Sequence, residues 1–195
     1  MVTSTIVAVD LQKEVANRAR IEGPLVMVDE FINHRVDPHV MRQVGLDIAG
    51  MLGPRSCDLL LTAEASGIAP AVLAAQTLEV PMIYAKKFLG TGTRYSYARE
   101  VTSPTKGVEY RVEVARRMLN PGQRVGIVDD FLSGGRTAES LGEIVEEAGG
   151  EVAGYCFIIE KDYMNGRERL ERHGWWVDSI VRIASVNSGR IQIAS

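Results

Sequence analysis

Apolar runs of the length of a buried strand alternate along this chain with segments of helical periodicity. The clearest unit spans residues 125–148, where an apolar run (125–128) is followed by a polar loop (129–136) and an amphipathic helix (137–148) that ends at Gly149 and Gly150. Strands that alternate with helices form βαβ units, which require a parallel sheet and right-handed crossovers. The sequence therefore predicts an α/β fold.

The rest of the chain repeats this order of elements. The same criteria predict strands at residues 57–62, 81–85, 152–160, 176–183 and 190–193, and helices at residues 68–78 and from Pro38 onward, with Asp37 as N-cap. Residues 88–107 are polar and too long for an ordinary connection, so we expect a mobile loop or an exposed hairpin there. With no repeat or linker in the sequence, we expect one domain over residues 1–195. Ligands of such folds bind beyond the carboxyl ends of the strands, where the loops at 63–67 and 129–136 would lie.

Composition and charge exclude several classes of partner. A net charge of -3 gives no general attraction to nucleic acid or to an anionic membrane, so a polyanionic ligand would need a local site. We expect no membrane-spanning segment and no signal peptide, and therefore a cytoplasmic protein. Cys57 and Cys156 fit neither a disulfide scaffold nor a metal site, and we expect both to be reduced core residues on strands. The histidines have no metal or catalytic-triad spacing.

The ten residues 128–137, Val-Asp-Asp-Phe-Leu-Ser-Gly-Gly-Arg-Thr, carry the clearest chemical signal. The small residues 133–135 let the backbone turn and direct N–H groups at an anion, and the positive end of the following helix adds to the attraction for phosphate. The Thr137 hydroxyl can donate as well. Asp129 and Asp130 are acceptors one loop-length away, which suits the vicinal hydroxyls of a ribose. The loop therefore indicates a sugar-phosphate site.

Other interpretations of this loop fit the sequence less well. A bare pair of aspartates can simply cap the next helix while the glycines form the turn before it. The chain has no G-x-x-x-x-G-K-[ST] phosphate loop, and Gly90-Thr91-Gly92 lacks the third glycine and the preceding strand of a dinucleotide site. The strand before the loop and the helix after it favour the sugar-phosphate interpretation over capping.

Residues 125–137 resemble the phosphoribosyl pyrophosphate signature of the type I phosphoribosyltransferases, in which an apolar strand precedes two acidic residues and a small-residue loop ending in Gly-x-Thr. The resemblance implies a central, mainly parallel sheet flanked by helices, with a small hood subdomain and a flexible loop. It implies that Asp129 and Asp130 hold the ribose hydroxyls and support catalysis. The residues that would bind the 5-phosphate are Ser133, Gly134, Gly135, Arg136 and Thr137.

Two further segments resemble parts of the same family. Residues 64–67 resemble its pyrophosphate loop, in which Ala65, Ser66 and Gly67 would face the leaving group and Gly67 would permit the turn, although such turns are common elsewhere. The resemblance implies that Lys87 neutralises the leaving group and that Lys106, in a segment similar to the flexible loop, closes over the reacting centre. It also implies Mg²⁺ held mainly by oxygens of the substrate, with no protein metal ligands.

The likeness to bacterial xanthine phosphoribosyltransferases covers nearly the whole chain, with matching segments in the same order at residues 26–38, 65–71, 103–114 and 158–161. It implies a purine salvage enzyme that transfers ribose 5-phosphate to N9 of xanthine, in a homodimer. The base would be bound by Val26, Asn33, Phe131 and Lys161, beneath a hood formed by residues 20–38 and the C-terminal strands. Spacing alone fits other roles too: Asn33 as a turn residue, Lys161 as a solvated strand end and Phe131 as a core side chain.

Two alternatives to xanthine transfer stay open. The loop at residues 133–137 is closer to the general type I pattern than to the one expected in xanthine enzymes, which leaves adenine or another 6-oxopurine as the base. A non-catalytic regulator that senses phosphoribosyl pyrophosphate is the second alternative. The residues before Glu22 are too few for the helix-turn-helix domain that a DNA-binding version would need, so we expect no nucleic-acid partner.

Overall fold

The computed structural model describes residues 8–23, 25–88, 95–102, 109–187 and 189–194. Its helices are α1 (Leu11–Arg18), α2 (Pro38–Leu52), α3 (Ile68–Leu78), α4 (Arg136–Glu147) and α5 (Gly166–Glu171). Its strands are β1 (Arg20–Glu22), β2 (Leu25–Met27), β3 (Leu59–Ala63), β4 (Met82–Phe88), β5 (Ser96–Thr102), β6 (Glu109–Ala115), β7 (Arg124–Leu132), β8 (Glu151–Lys161), β9 (Val177–Asn187) and β10 (Arg190–Ile193). A π-helical turn (Asp29–Asn33) follows β2.

The described strands form one large sheet in the order β10-β9-β8-β7-β3-β4-β6-β5, beside a small antiparallel pair, β1 and β2. The neighbours from β9 to β4 all pair in parallel, whereas β10, β6 and β5 each pair antiparallel with their neighbours. The predicted α/β fold with a mainly parallel sheet is confirmed.

Alternation along the strands divides the core between the two faces of the sheet. On β7, Val128 packs in the cluster that contains residues of α2 and α3, whereas Val125 and Ile127 pack in the cluster that contains residues of α4 and α5. After β3 the chain continues into α3 on one face of the sheet, and after β7 it continues into α4 on the other face. Because β3 and β7 are neighbours, the direction of the connections switches between their carboxyl ends, and sheets of this kind bind ligands in a crevice at that switch point.

Local sequence sets the ends of the helices around this crevice. Asp37 caps α2 as predicted, since its Oδ1 accepts from the backbone N–H of His39 at 3.0 Å and Pro38 occupies the first turn. The helix predicted at residues 68–78 is α3. Gly149, at a φ of +79°, follows α4 in the left-handed conformation that glycine favours.

Several strand boundaries differ from the prediction. The strand predicted at 125–128 continues to Leu132, because Asp129, Phe131 and Leu132 stay paired with β8. The strand predicted to end before the lysines continues to Phe88, because Lys87 pairs with Val112 of β6. Within the polar stretch predicted as a loop or hairpin, residues 96–102 form β5, which pairs antiparallel with β6. Residues 89–94 and 103–108 lie outside the described residues.

The two cysteines differ from each other. Both are free thiols, and Cys156 is buried on β8 as predicted. Cys57 precedes β3 and is only partly buried, so its prediction as a strand residue of the core was wrong. No helix in the described ranges has the length and apolar character to cross a membrane.

Candidate functional site

A cavity of about 560 Å³ lies at the carboxyl ends of β7, β8 and β9. One wall is the end of β7 with the loop and the first turn of α4, from Asp129 to Ala138 without Asp130. The opposite wall comes from the small β1–β2 pair, the end of β8 and the end of β9. Its described residues are Gly23, Leu25, Lys161, Tyr163, Met164, Ser185 and Val186. Val101 and Tyr110, from β5 and β6, complete the lining.

The loop between β7 and α4 has the geometry of an anion site. Gly135 has a φ of +73°, in the left-handed region, and α4 begins at the next residue. A Cβ at this position would also lie 3.0 Å from the carbonyl oxygen of Gly166, a tight contact that adds to the conformational preference for glycine. The first N–H groups of a helix have no partner within the helix, and α4 starts directly after this loop. The Thr137 hydroxyl lies 2.7 Å from the Tyr110 hydroxyl.

Asp130 joins three segments that are distant in sequence. Its carboxylate is buried, and Oδ1 accepts a hydrogen bond from the Ser66 hydroxyl at 2.9 Å. Its Oδ2 accepts from the Asn33 side-chain amide at 2.8 Å. One carboxylate at the end of β7 thus fixes the π-helical turn after β2 and the loop after β3.

Asp129 is an acid in an unfavourable place for a charge. Burial raises its pKa well above the usual value, and the negative charge of Asp130 raises it further. The backbone N–H of Asp130, which donates to Asp129 Oδ1 at 2.9 Å, and the cation of Lys87 act in the opposite direction. A cationic ligand group beside Asp129 would lower its pKa and so favour the ionised carboxylate.

Gly67 makes room for this carboxylate. A Cβ at residue 67 would collide with the Thr62 hydroxyl and would lie 2.5 Å from Asp129 Oδ1. Its φ of -73° is open to any residue. Gly67 lies in the turn after β3, as predicted, and the position needs glycine for close approach and not for a special backbone conformation.

The loop after β3 is held against β4. Glu64 Oε1 accepts from the backbone N–H of Lys87 at 2.6 Å, and the backbone N–H of Glu64 donates to the Ala85 carbonyl at 3.0 Å. The peptide bond between Glu64 and Ala65 is cis. The Lys87 ammonium lies 5.5 Å from the centre of the Tyr110 ring, at the edge of the cavity.

Phe131 and Lys161 form the part of the cavity suited to a flat ring. The Lys161 Nζ lies 5.5 Å from the centre of the Phe131 ring, and both residues line the cavity. Burial lowers the pKa of the Lys161 ammonium. A partly desolvated donor beside an aromatic face suits a planar ligand with carbonyl oxygens.

Comparison with known proteins decides the family. No family model matches the chain. It is 36% identical to the xanthine phosphoribosyltransferase of Chloroflexus aurantiacus over 179 residues, which cover 92% of this chain and 85% of that protein. It is 39% identical to the enzyme of the same name from Streptococcus uberis over 183 residues, which cover 93% and 95%. The chain belongs to the xanthine phosphoribosyltransferase family.

The solved structures that resemble this family member are also phosphoribosyltransferases. An adenine phosphoribosyltransferase from Rhodothermus marinus has a TM-score of 0.72 at 22% identity, with 89% of this chain and 98% of that chain covered. Another, from Thermoanaerobacter pseudethanolicus, has a TM-score of 0.67 at 27% identity, with 75% and 82% covered. The fold implied by the sequence resemblance is confirmed.

The structure brings most of the predicted site residues to one region of this xanthine phosphoribosyltransferase family member. The residues at positions 129, 131, 133–137 and 161 line the cavity. Ser66 and Asn33 bind Asp130, the buried neighbour of the cavity-lining Asp129, and Gly67 lies against Asp129 itself. Ala65 is exposed beside Ser66. Lys106 lies outside the described residues. The roles of all these residues stay predictions.

Val26 is placed differently from the prediction. Its side chain is buried in the core cluster with Phe31 and Ile32, and the cavity is lined by its neighbour Leu25. Strand alternation is the reason, because successive residues of β2 point in opposite directions. Val26 is not among the described residues that line the cavity, and its side chain belongs to the core.

Sequence reasoning missed the wall formed by Tyr163, Met164, Ser185 and Val186. Tyr163 and Met164 are large hydrophobic residues that are 42% and 40% exposed. They follow β8 directly, at the carboxyl end where ligands bind, and that position was a usable signal. Ser185 and Val186 lie near the end of β9, which extends to Asn187 and not to residue 183 as predicted.

Proposed function

We propose that this protein transfers ribose 5-phosphate from phosphoribosyl pyrophosphate to N9 of xanthine, giving XMP and pyrophosphate, as the names of its relatives indicate. The observation that supports the proposal is the arrangement of the two aspartates at the end of β7. There, Asp129 lines the cavity together with the loop residues 133–137, while the buried Asp130 is held between Ser66 and Asn33. A ribose 5-phosphate fits this arrangement, with its phosphate at residues 133–137 and its hydroxyls at the carboxylates.

The reaction needs charge stabilisation more than it needs a nucleophilic side chain. Departure of pyrophosphate from C1 leaves an oxocarbenium-like ribose, so the site must stabilise negative charge on the departing oxygens and exclude water. Lys87 lies close enough to Asp129 to lower its pKa and would neutralise charge on that side. Lys106, in the segment similar to the family's flexible loop, would cover the reacting centre.

The acidic pair fits a substrate that carries its own cation. Asp129 and Asp130 supply hard carboxylate oxygens, and the pKa of Asp129 is raised by burial and by its neighbour's charge. Mg²⁺ held mainly by the pyrophosphate oxygens would favour the ionised pair and add positive charge at the leaving group. The protein's own contribution is to orient the ribose between the carboxylates and the phosphate loop.

Recognition of the base rests on groups that complement xanthine. Xanthine has two carbonyl acceptors and ring N–H donors, and Lys161 offers a cationic donor beside the aromatic face of Phe131. Asn33 is fixed by its hydrogen bond to Asp130, which gives its amide a defined position next to the ribose site. The β1–β2 pair and β9 contribute Gly23, Leu25 and Ser185 to the cavity, in keeping with a hood over the base within a single domain.

Three further properties belong to the same proposal. We propose a homodimer, a cytoplasmic location and dependence on Mg²⁺, all by analogy with the family. Size-exclusion chromatography with light scattering tests the first, and pyrophosphate release with and without EDTA tests the third.

A panel of purines tests the proposed function. Purified protein with phosphoribosyl pyrophosphate and Mg²⁺ is given xanthine, hypoxanthine, guanine or adenine, and pyrophosphate release is measured. We expect xanthine to react far faster than the others. If release is fastest with adenine, the substrate is adenine, the base in the names of the structural relatives, and not xanthine. Binding of phosphoribosyl pyrophosphate without turnover of any base would favour a sensor.

A further inference from the structure

The orientation of one peptide group in the loop after β7 fixes the direction of the Gly135 N–H. The carbonyl of Gly134 and the N–H of Gly135 belong to the same peptide plane and point in opposite directions. Both flanking residues are glycines, and a Cβ at Gly134 would meet nothing within 4 Å. Side-chain sterics at Gly134 therefore do not select between the two orientations of this peptide.

Arg169 on α5 selects one orientation. Its Nε donates to the Gly134 carbonyl oxygen at 2.8 Å, which turns the Gly135 N–H to the side away from α5. Gly134 and Gly135 line the cavity, and Arg169 is not among the described residues that do so. The hydrogen bond therefore holds the carbonyl outside and leaves the N–H for a ligand inside.

Arg169 is itself fixed by a second hydrogen bond. Its Nη1 lies 2.8 Å from Glu139 Oε2, in the first turn of α4, and the other oxygen of Glu139 lies 3.1 Å from His173 Nε2. The start of α5 also packs closely on the loop, because a Cβ at Gly166 would collide with the Ser133 carbonyl oxygen. The guanidinium thus joins α5 to both the loop and the helix that follows it.

We propose that Arg169 is a positioning residue for the 5-phosphate of the substrate, acting by holding the Gly134–Gly135 peptide with its N–H toward the cavity. The proposal rests on the proposed function, since it assigns the loop to that phosphate. Arg169 touches no reacting atom. Its effect should be confined to phosphate at this loop and should leave the pyrophosphate side unchanged.

Calorimetric titration with two separate probes tests the inference. Ribose 5-phosphate reports on the loop after β7, and pyrophosphate with Mg²⁺ reports on the opposite side. We expect Arg169→Gln to weaken binding of ribose 5-phosphate about tenfold, which corresponds to about 1.4 kcal/mol, with pyrophosphate binding unchanged. In turnover, KM for phosphoribosyl pyrophosphate should rise with kcat near the wild-type value, because the remote phosphate contact is the same in ground and transition states.

Three variants separate positioning from general damage. Arg169→Lys can still donate to the Gly134 carbonyl and should recover most of the affinity. Glu139→Gln weakens the link between α5 and α4 but keeps the bond to the loop, so it should lower Tm more than it changes ribose 5-phosphate binding. Arg172→Gln removes a charge from the residue that follows the same helix, at an exposed pair with Glu168, and should change neither.

The outcomes are distinguishable from failure of the proposed function. Wild-type protein that binds ribose 5-phosphate, with Arg169→Gln binding it equally well, would overturn this inference alone. Equal losses for ribose 5-phosphate and pyrophosphate in Arg169→Gln would also overturn it, by showing a merely structural role. Wild-type protein that binds neither ribose 5-phosphate nor phosphoribosyl pyrophosphate would overturn both.

Discussion

Gly67→Ala is the smallest change that tests the packing around Asp129. The new methyl group would collide with the Thr62 hydroxyl, and Thr62 is fully buried and branched at Cβ, so it has little freedom to turn away. The methyl group would also lie 2.5 Å from Asp129 Oδ1. The carboxylate or the loop after β3 must therefore move.

The size of the effect follows from these distances. Restoring an ordinary contact of 3.4 Å to Asp129 Oδ1 requires a displacement of about 0.9 Å. Overpacking of this kind costs roughly 1–3 kcal/mol of folding free energy. A misplacement of about 1 Å at a site that positions substrate can lower the rate about 100-fold. We expect Gly67→Ala to lose about two orders of magnitude in kcat/KM while the protein stays folded.

Initial rates of pyrophosphate release and urea unfolding measure the two quantities together. Gly50→Ala on α2 is the matched control, because a Cβ there meets nothing within 4 Å and alanine favours a helix, so we expect unchanged rates and equal or higher stability. Gly67→Ala with wild-type kcat/KM would refute the claim that this glycine provides space for Asp129.

Three other substitutions test the acids near the site. Asp130→Asn keeps the side-chain shape but removes its charge, so kcat/KM should fall about 10- to 100-fold with little change in Tm, and near-normal rates would contradict a ribose contact. Burial raises the pKa of Asp129, so the folded protein favours the protonated carboxyl more than the unfolded chain does. The resulting stability is fully present below the pKa of the unfolded carboxyl and is lost as pH rises through the raised pKa. Asp129→Asn should therefore raise Tm at neutral pH while turnover falls; a lower Tm would show that the charge is well compensated. Glu160 is 2% exposed and accepts hydrogen bonds from both Nε and Nη2 of Arg167. We expect Glu160→Gln to lower the free energy of unfolding in urea by about 3 kcal/mol. This is the lower end of the range for a broken buried pair, because the Arg167 side chain is 23% exposed. A loss below 1 kcal/mol would contradict that account.

Local patterns predicted the elements whose own residues determine them. The caps of α2, the length of α3 and the apolar run of β8 were all readable from neighbouring residues. The extension of β7 was not, because Asp129 and Phe131 stay in the strand through their pairing with Phe157 and Ile159 of β8. Pairing between distant segments overrides local polarity.

Strand β6 shows a signal that was present and missed. Tyr110, Val112 and Val114 alternate with charged residues, which is the period of a half-buried strand. The link from Arg169 to Gly134 had no such signal. The two residues are 35 positions apart, and Arg169 binds a backbone carbonyl, a group that every residue has. Only the structure therefore reveals the contact.

The two hydrogen bonds at Asp130 bear on how the site selects its sugar. A carboxylate has room for about four donors, and here two places are filled by the protein, one on each oxygen. The side chain is thus immobilised when the chain folds, and the entropy of ordering it is not lost again on binding. If this carboxylate holds the ribose hydroxyls, as proposed, a vicinal diol would meet acceptors that are already fixed. A sugar lacking one hydroxyl would leave one of these acceptors without its donor, so the site would favour ribose over deoxyribose.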